Sequence, residues 1–180
     1  MDYPRRELLD HVAGRENLCL GLGRQGIAVQ DSIWSLAWIS RHPVDANIFR
    51  RGGINIFPLY LYPETGVLDF HNEIRLNFSP SFLRELSQKL GLKQRADNGC
   101  PNGISPESII HYAYAIYYSL NYRNRYAEFL KTDFPRLPLT PKLQLFKELS
   151  RLGKELSEIH LMESVKFNKI ITKFIGTAGA

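Results

Sequence analysis

Residues 111–140 read HYAYAIYYSLNYRNRYAEFLKTDFPRLPLT. Aromatic residues recur at helical spacing as far as Lys131, after which Pro135 and Pro138 turn the chain into an extended strap. The tract predicts two short helices and a strap, which is a scaffold: His111 is its one side chain that titrates near neutral pH. Tyr114, Tyr118, Tyr122, Tyr126 and Phe129 fall about every fourth position, a spacing that points to core packing, with stacking on unpaired bases as the alternative. Arg123, Arg125 and Lys131 are interleaved with them, so one edge of the pair is expected to meet phosphates while the stripe stays buried.

Working outward, the helix starts are legible. Ser79-Pro80, Ser105-Pro106 and Thr140-Pro141 each set a hydroxyl N-cap before a proline at the first helical position, where its missing N–H costs nothing. The first helix is expected to run to about Leu90 and stop at Gly91, with Phe82, Leu83, Leu86 and Leu90 as its apolar stripe. The second runs from Pro106 to about Ser119, is interrupted near Asn121, and resumes over Tyr122–Lys131. The third and longest starts at Pro141 and carries Leu143, Phe146, Leu149, Leu152, Leu156 and Ile159. Residues 97–103, DNGCPNG, form a loop.

Before Ser79 the pattern changes. Residues 18–25 (LCLGLGRQ), 32–40 (SIWSLAWIS) and 54–62 (INIFPLYLY) are apolar or β-branched runs between turn residues, and read as strands. Pro58 cannot donate to a ladder and belongs at an edge or bulge. Arg50-Arg51-Gly52-Gly53 reads as a hairpin turn carrying two cations, and a further strand is expected near Gly66–Phe70. Together these elements predict a mixed α/β (α+β) fold in one domain, β-rich over about residues 1–78 and helical over about 79–180, ending in a long helix.

Charge is unevenly spread. The 23 Lys plus Arg against 18 Asp plus Glu leave a net charge of +5 and a pI near 9.2, which favours a polyanionic partner. Residues 1–75 hold eight Arg, no Lys and nine acids, and residues 76–180 hold the other fifteen cations and nine acids. Arg without Lys suggests forked donors chosen for geometry.

Several chemistries are excluded by absence. Gly21-Leu22-Gly23-Arg24-Gln25-Gly26 matches a dinucleotide fingerprint, but the run Ile27–Ile39 after it reads as strand, so no helix would face a pyrophosphate. There is no metal-binding His or Cys pair, no nucleophile elbow and no phosphate-binding loop, so neither a cofactor nor a catalytic centre is expected. His111 and His160 are expected to pack; Glu155 and Glu158 read as a solvated helix face. Cys19 and Cys100 stand apart, which implies no disulfide framework and a reduced, cytoplasmic setting. No apolar run reaches the ~20 residues that span a bilayer.

Asn17-Leu18 through Arg24-Gln25, residues 57–63 (FPLYLYP), Asn77-Phe78-Ser79-Pro80 and above all residues 105–140 together resemble the C-terminal specificity, or target-recognition, domain of Type ISP restriction–modification enzymes, from about Asn17 to Ser164. In that family a nuclease, a translocase and an adenine N6-methyltransferase precede the domain on one polypeptide. The sequence has no Asn-Pro-Pro-Tyr and no nucleotide-binding loop, so the resemblance implies an isolated domain or a truncated gene, whose product binds duplex DNA and helps position a base for flipping by methyltransferase and helicase modules in cis or in trans. Residues 26–49 match only loosely, where a specificity domain is expected to vary.

The expected DNA-facing set is Arg24, Gln25, Arg41, His42, Asn47, Arg50, Arg51, Asn72 and Arg75 in loops, with Arg and Gln for base edges, and Arg50, Arg51, Arg123, Arg125 and Lys131 for phosphates. The alternative is a protein-interaction module that docks through the aromatic and long helices, its cations serving solubility.

Overall fold

The computed structural model describes residues 6–23, 34–45, 47–48, 53–63 and 73–168. After a short α1 (Arg6–Leu9) come β1 (Cys19–Gly23), β2 (Ala37–Ser40), β3 (Ile54–Pro58), β4 (Tyr60–Leu61) and β5 (Arg75–Leu76), and then α2 (Pro80–Leu90), α3 (Pro106–Tyr118), α4 (Leu120–Arg125), α5 (Ala127–Leu130) and α6 (Leu143–His160). The expected α+β division is what forms.

β1 is the middle of an antiparallel sheet ordered β2-β1-β3. All five of its residues are buried, which is why the run is apolar without alternation. Gly21 has a packing reason: a Cβ there would lie 2.5 Å from the Ile54 Cδ1 atom. Gly21 and Gly23 therefore leave room for side chains of flanking residues, Ile54 on β3 and Leu36 just before β2. β3 is an edge strand, the place expected for Pro58. β4 and β5 form a second ladder in which Tyr60 faces Leu76 and Leu61 faces Arg75. The strand expected at 66–70 and most of the turn at 50–53 lie outside the described residues.

Asn17 joins the two ladders. It is buried, its Oδ1 accepts from the N–H groups of Leu18, Leu59 and Tyr60, and its Nδ2 donates to the carbonyls of His11 (2.9 Å) and Tyr60 (2.7 Å). One amide thus satisfies five backbone groups where the chain leaves β3 for β4.

The helical half forms around two predicted caps. Ser79 Oγ accepts from Phe82 N–H and Ser105 Oγ from Ser108 N–H, each at 3.2 Å, and Gly91 closes α2 with φ 66°. Two expectations shift. The third helix starts at Leu143, because Thr140 Oγ1 instead accepts from Lys142 N–H in a turn that ends the strap. The middle interruption falls at Ser119, which caps α4, and again at Tyr126.

α3 stands between two apolar cores. Ile110, Ala113, Tyr114 and Tyr117 pack with the sheet and α4, while Ile109 and Tyr112 pack with α2 and Phe146 of α6. Tyr114 and Tyr122 are core, as the spacing implies, but Tyr126 is exposed, and Tyr112 and Tyr117, outside the stripe, are buried. Buried hydroxyls need partners: Tyr112 donates to Pro138 O and Tyr122 to Arg136 O, both at 2.7 Å, tying the strap down.

α6 runs beside α3 in the same direction, with Leu143, Leu149 and Leu156 of its expected stripe partly buried against the two cores. Its buried residues are Phe146, Ser150, Gly153 and Ser157. Small residues let the two backbones approach, and their hydroxyls are satisfied: Ser150 Oγ donates to Ser108 O at 2.9 Å and Ser157 Oγ to Gly153 O at 2.7 Å. Leu145, Leu152 and Ile159 are left exposed along one flank.

Candidate nucleic acid interface

Gly23 ends β1 opposite Ile54, the first residue of β3. Gly23 N–H donates to Leu36 O at 2.8 Å, and Trp34 Nε1 donates to Gly23 O at 3.4 Å. Gly23 and Trp34, the described residues on either side of 24–33, are therefore held together at one end of the sheet. Arg24 and Gln25 are covalently next to Gly23, and Arg50 and Arg51 are within a few residues of Ile54, a reach of about 14 Å at most. These four side chains and Asn72 lie outside the described residues; their anchors do not.

Arg41 and His42 follow β2 at the opposite end of the sheet. The Arg41 guanidinium makes a forked pair with Glu163, through Nε at 2.5 Å and Nη2 at 3.0 Å, which ties the sheet to the end of α6. That bond holds its pKa above the ordinary arginine value, against a lowering by burial. His42 is exposed, and its backbone N–H and C=O both bond Ser40 Oγ. Asn47 is exposed in a turn closed by Asp45. Arg75 is exposed on β5 and has no ion pair among the described residues. Arg41 and His42 thus stand at the end of the sheet away from Gly23 and Ile54.

A cleft of about 460 Å³ lies at this second end, lined by Glu16, Arg41, Tyr60, Tyr62, Ile74 and Glu107 among others. Tyr60 Oη donates a short hydrogen bond to Glu107. Burial pushes the Glu107 carboxyl upward, but the bonds from Tyr60, its own N–H and Ser105 outweigh it and hold it below the ordinary glutamate value. Sequence reading missed this pair, since 47 residues separate its members.

The cations on the helix pair divide as well. Arg123 is 8% exposed; its Nε donates to the Tyr117 carbonyl at 2.6 Å and its guanidinium lies 4.6 Å from the centre of the Tyr118 ring. It caps the C-terminal end of α3, where unpaired carbonyls favour a cation. The expected phosphate contact is corrected on this point, because a buried guanidinium has no surface to offer. Arg125 lies over the Tyr126 ring and Lys131 pairs with Glu128 at 2.5 Å; both are exposed.

No group of three His, Cys, Asp or Glu that could hold a metal occurs among the described residues, and no described helix is long and apolar enough to cross a membrane. Cys19 and Cys100 are buried free thiols; burial pushes Cys19 up to about 11.

The sequence profile of the Type ISP C-terminal specificity domain matches residues 1–179. The chain belongs to this family. Two solved structures share its fold: the ATP-dependent Type ISP restriction–modification enzyme LlaBIII bound to DNA, at 23% identity and TM-score 0.62 over 90% of this chain and 9% of that one, and the DrdV–DNA complex, at 22% identity and TM-score 0.65 over 89% and 13%. The specificity domain therefore spans about a tenth of the length of each. No curated protein matches it. Within the specificity domain, the motifs that carry the family resemblance are joints of the scaffold. Asn17 brackets two ladders, Asn77 donates to Pro58 O at 2.9 Å, Ser79 and Ser105 cap helices, and the tyrosines of 111–140 hold the strap.

Proposed function

We infer that this specificity domain recognises a sequence in double-stranded DNA and performs no chemistry itself, placing the target for methyltransferase and helicase modules in cis or in trans. Family membership carries the reading, and both similar solved structures are DNA complexes. Gly23 and Ile54 stand opposite each other at one end of the sheet; forked side chains such as those of Arg24 and Gln25, next in sequence to Gly23, suit guanine and adenine edges in a major groove, and Arg50 and Arg51 are proposed for phosphates. Arg41, His42, Asn47, Asn72 and Arg75 remain proposed DNA contacts around them, and Arg125 and Lys131 proposed phosphate contacts.

The test is Arg50→Glu with Arg51→Glu. The expected result is a normally folded chain that has lost duplex binding at low salt. Unchanged DNA binding would contradict the reading. The exposed flank of Leu145, Leu152 and Ile159 favours a second role alongside the first, docking onto the rest of a larger enzyme. That role would survive the double substitution.

A further inference from the structure

A second cleft, of about 350 Å³, opens between the first turns of α3, the loop at Gly103 and one edge of α6. Its lining includes Ser108, His111, Lys147, Arg151 and Lys154, and no carboxylate. Four nitrogen bases thus converge on one concave surface, in contrast to the first cleft, where Glu16 and Glu107 accompany Arg41. Lys147, Arg151 and Lys154 recur at helical spacing along α6, on the opposite flank from Leu145 and Leu152. The row is about 10 Å long at 1.5 Å per residue.

The acids nearest this row stand on α6 itself. Glu148 and Glu155 bond Arg151 at 3.2 and 2.5 Å, and Glu158 lies 3.8 Å from Lys154. Lys147 has no ion pair among the described residues. Exposed pairs of this kind hold their partners weakly, so an anion of higher charge density competes for both cations. His111 is kept neutral here by burial and then by Lys154, which lower its pKa to about 4.

We propose that this cleft is a backbone-phosphate site for DNA, in which Lys147, Lys154 and Arg151 grip one strand on the helical side of the domain. The proposal rests on the DNA-recognition reading above. One strand presents a phosphate for about every 3.4 Å of duplex axis, so a row of this length meets more than one. Such contacts set register and orientation and carry no sequence information.

The experiment measures duplex binding against salt for the unaltered chain, for Lys147→Gln with Lys154→Gln, and for Arg84→Gln with Lys89→Gln, an equal charge change on α2. The cleft variant is expected to bind on the order of tenfold more weakly, equally for all sequences, and to lower the slope of log K against log salt by about 2. The α2 variant should retain the slope. In the unaltered chain the His111 ring resonance should shift on adding duplex. If the two variants weaken binding alike, or the cleft variant binds as the unaltered chain does, the site is overturned and the recognition reading stands. If the folded unaltered chain binds no duplex at low salt, both fall. Both lysines are exposed, and Lys147→Glu alone serves as the second variant should the double one not fold.

Discussion

The Gly153 backbone lies against the carbonyl of His111 so closely that a Cβ on residue 153 would sit 1.9 Å from that oxygen. Ser150 and Ser157 flank it on the same face of α6, so the crossing with α3 is made by the three smallest side chains on the helix. A glycine inside a helix ordinarily costs about 1 kcal/mol against alanine. Here the intrinsic gain from Gly153→Ala is overridden, because the atom in the way is backbone and cannot rotate aside. The substitution is expected to lower stability by about 3 kcal/mol or more, read from the urea midpoint. An unchanged or higher midpoint would show that the two helices are not in contact there.

Asn17→Ala removes the single amide that serves five backbone groups between the two ladders. Several buried N–H and C=O groups would then lack partners, for a loss on the order of 3 kcal/mol. Asn17→Asp keeps the shape, loses both donor bonds and buries a charge, and is expected to be at least as damaging. Denaturant unfolding of the two variants checks the order.

His111 couples stability to pH. Burial, then Lys154 and Arg41, lower its pKa from 6.5 to about 4, and Glu107 opposes them. The unfolded chain therefore takes up a proton near pH 6.5 that the folded chain takes up only near pH 4. The stabilising effect of keeping the ring neutral is complete above about pH 6.5 and is lost as pH falls towards 4. After allowance for solvent screening at a half-buried site, the effect is on the order of 1–2 kcal/mol. His111→Gln should flatten the stability–pH curve across that window relative to the unaltered chain, while the carboxylate titrations remain in both. Parallel curves would contradict this coupling.

Met162 terminates α6 in the left-handed region, with φ 59° and an exposed side chain, and Glu163 N–H returns to Glu158 O at 2.8 Å. Glycine suits this position. Met162→Gly is expected to raise stability by about 0.5 kcal/mol, the strain relieved slightly exceeding the added freedom of the unfolded chain. A measurable loss of stability in thermal unfolding would argue against the strained turn that aims Glu163 at Arg41.

What was legible in the sequence was local chemistry. Ser79 and Ser105 cap their helices because a hydroxyl before proline acts on the next three residues alone, and Pro58 sits at an edge because it lacks an N–H. What escaped was set by partners distant in sequence. Thr140 looks like the other caps, yet it closes a turn at the end of a strap held by Tyr112 and Tyr122. Leu143, Leu149 and Leu156 of α6 pack at the margins of the cores, but the closest crossing, at His111, is made by Ser150, Gly153 and Ser157, which the stripe does not include. Arg123 reads as a surface cation until the free carbonyl of Tyr117 and the ring of Tyr118 are found around it. Of the expected DNA contacts, pattern reading alone could not foresee that Arg41 would be bound to Glu163, a residue 122 positions away.

The most direct test of sequence recognition is selection of bound duplexes from a random-sequence pool at about 0.15 M salt, where non-specific phosphate binding is weakened. The unaltered chain is expected to enrich one defined motif, and Arg24→Ala with Gln25→Ala to relax that motif at one or two positions while duplex binding at low salt persists. A folded chain that binds duplex but enriches no motif would contradict the claim that this domain reads sequence.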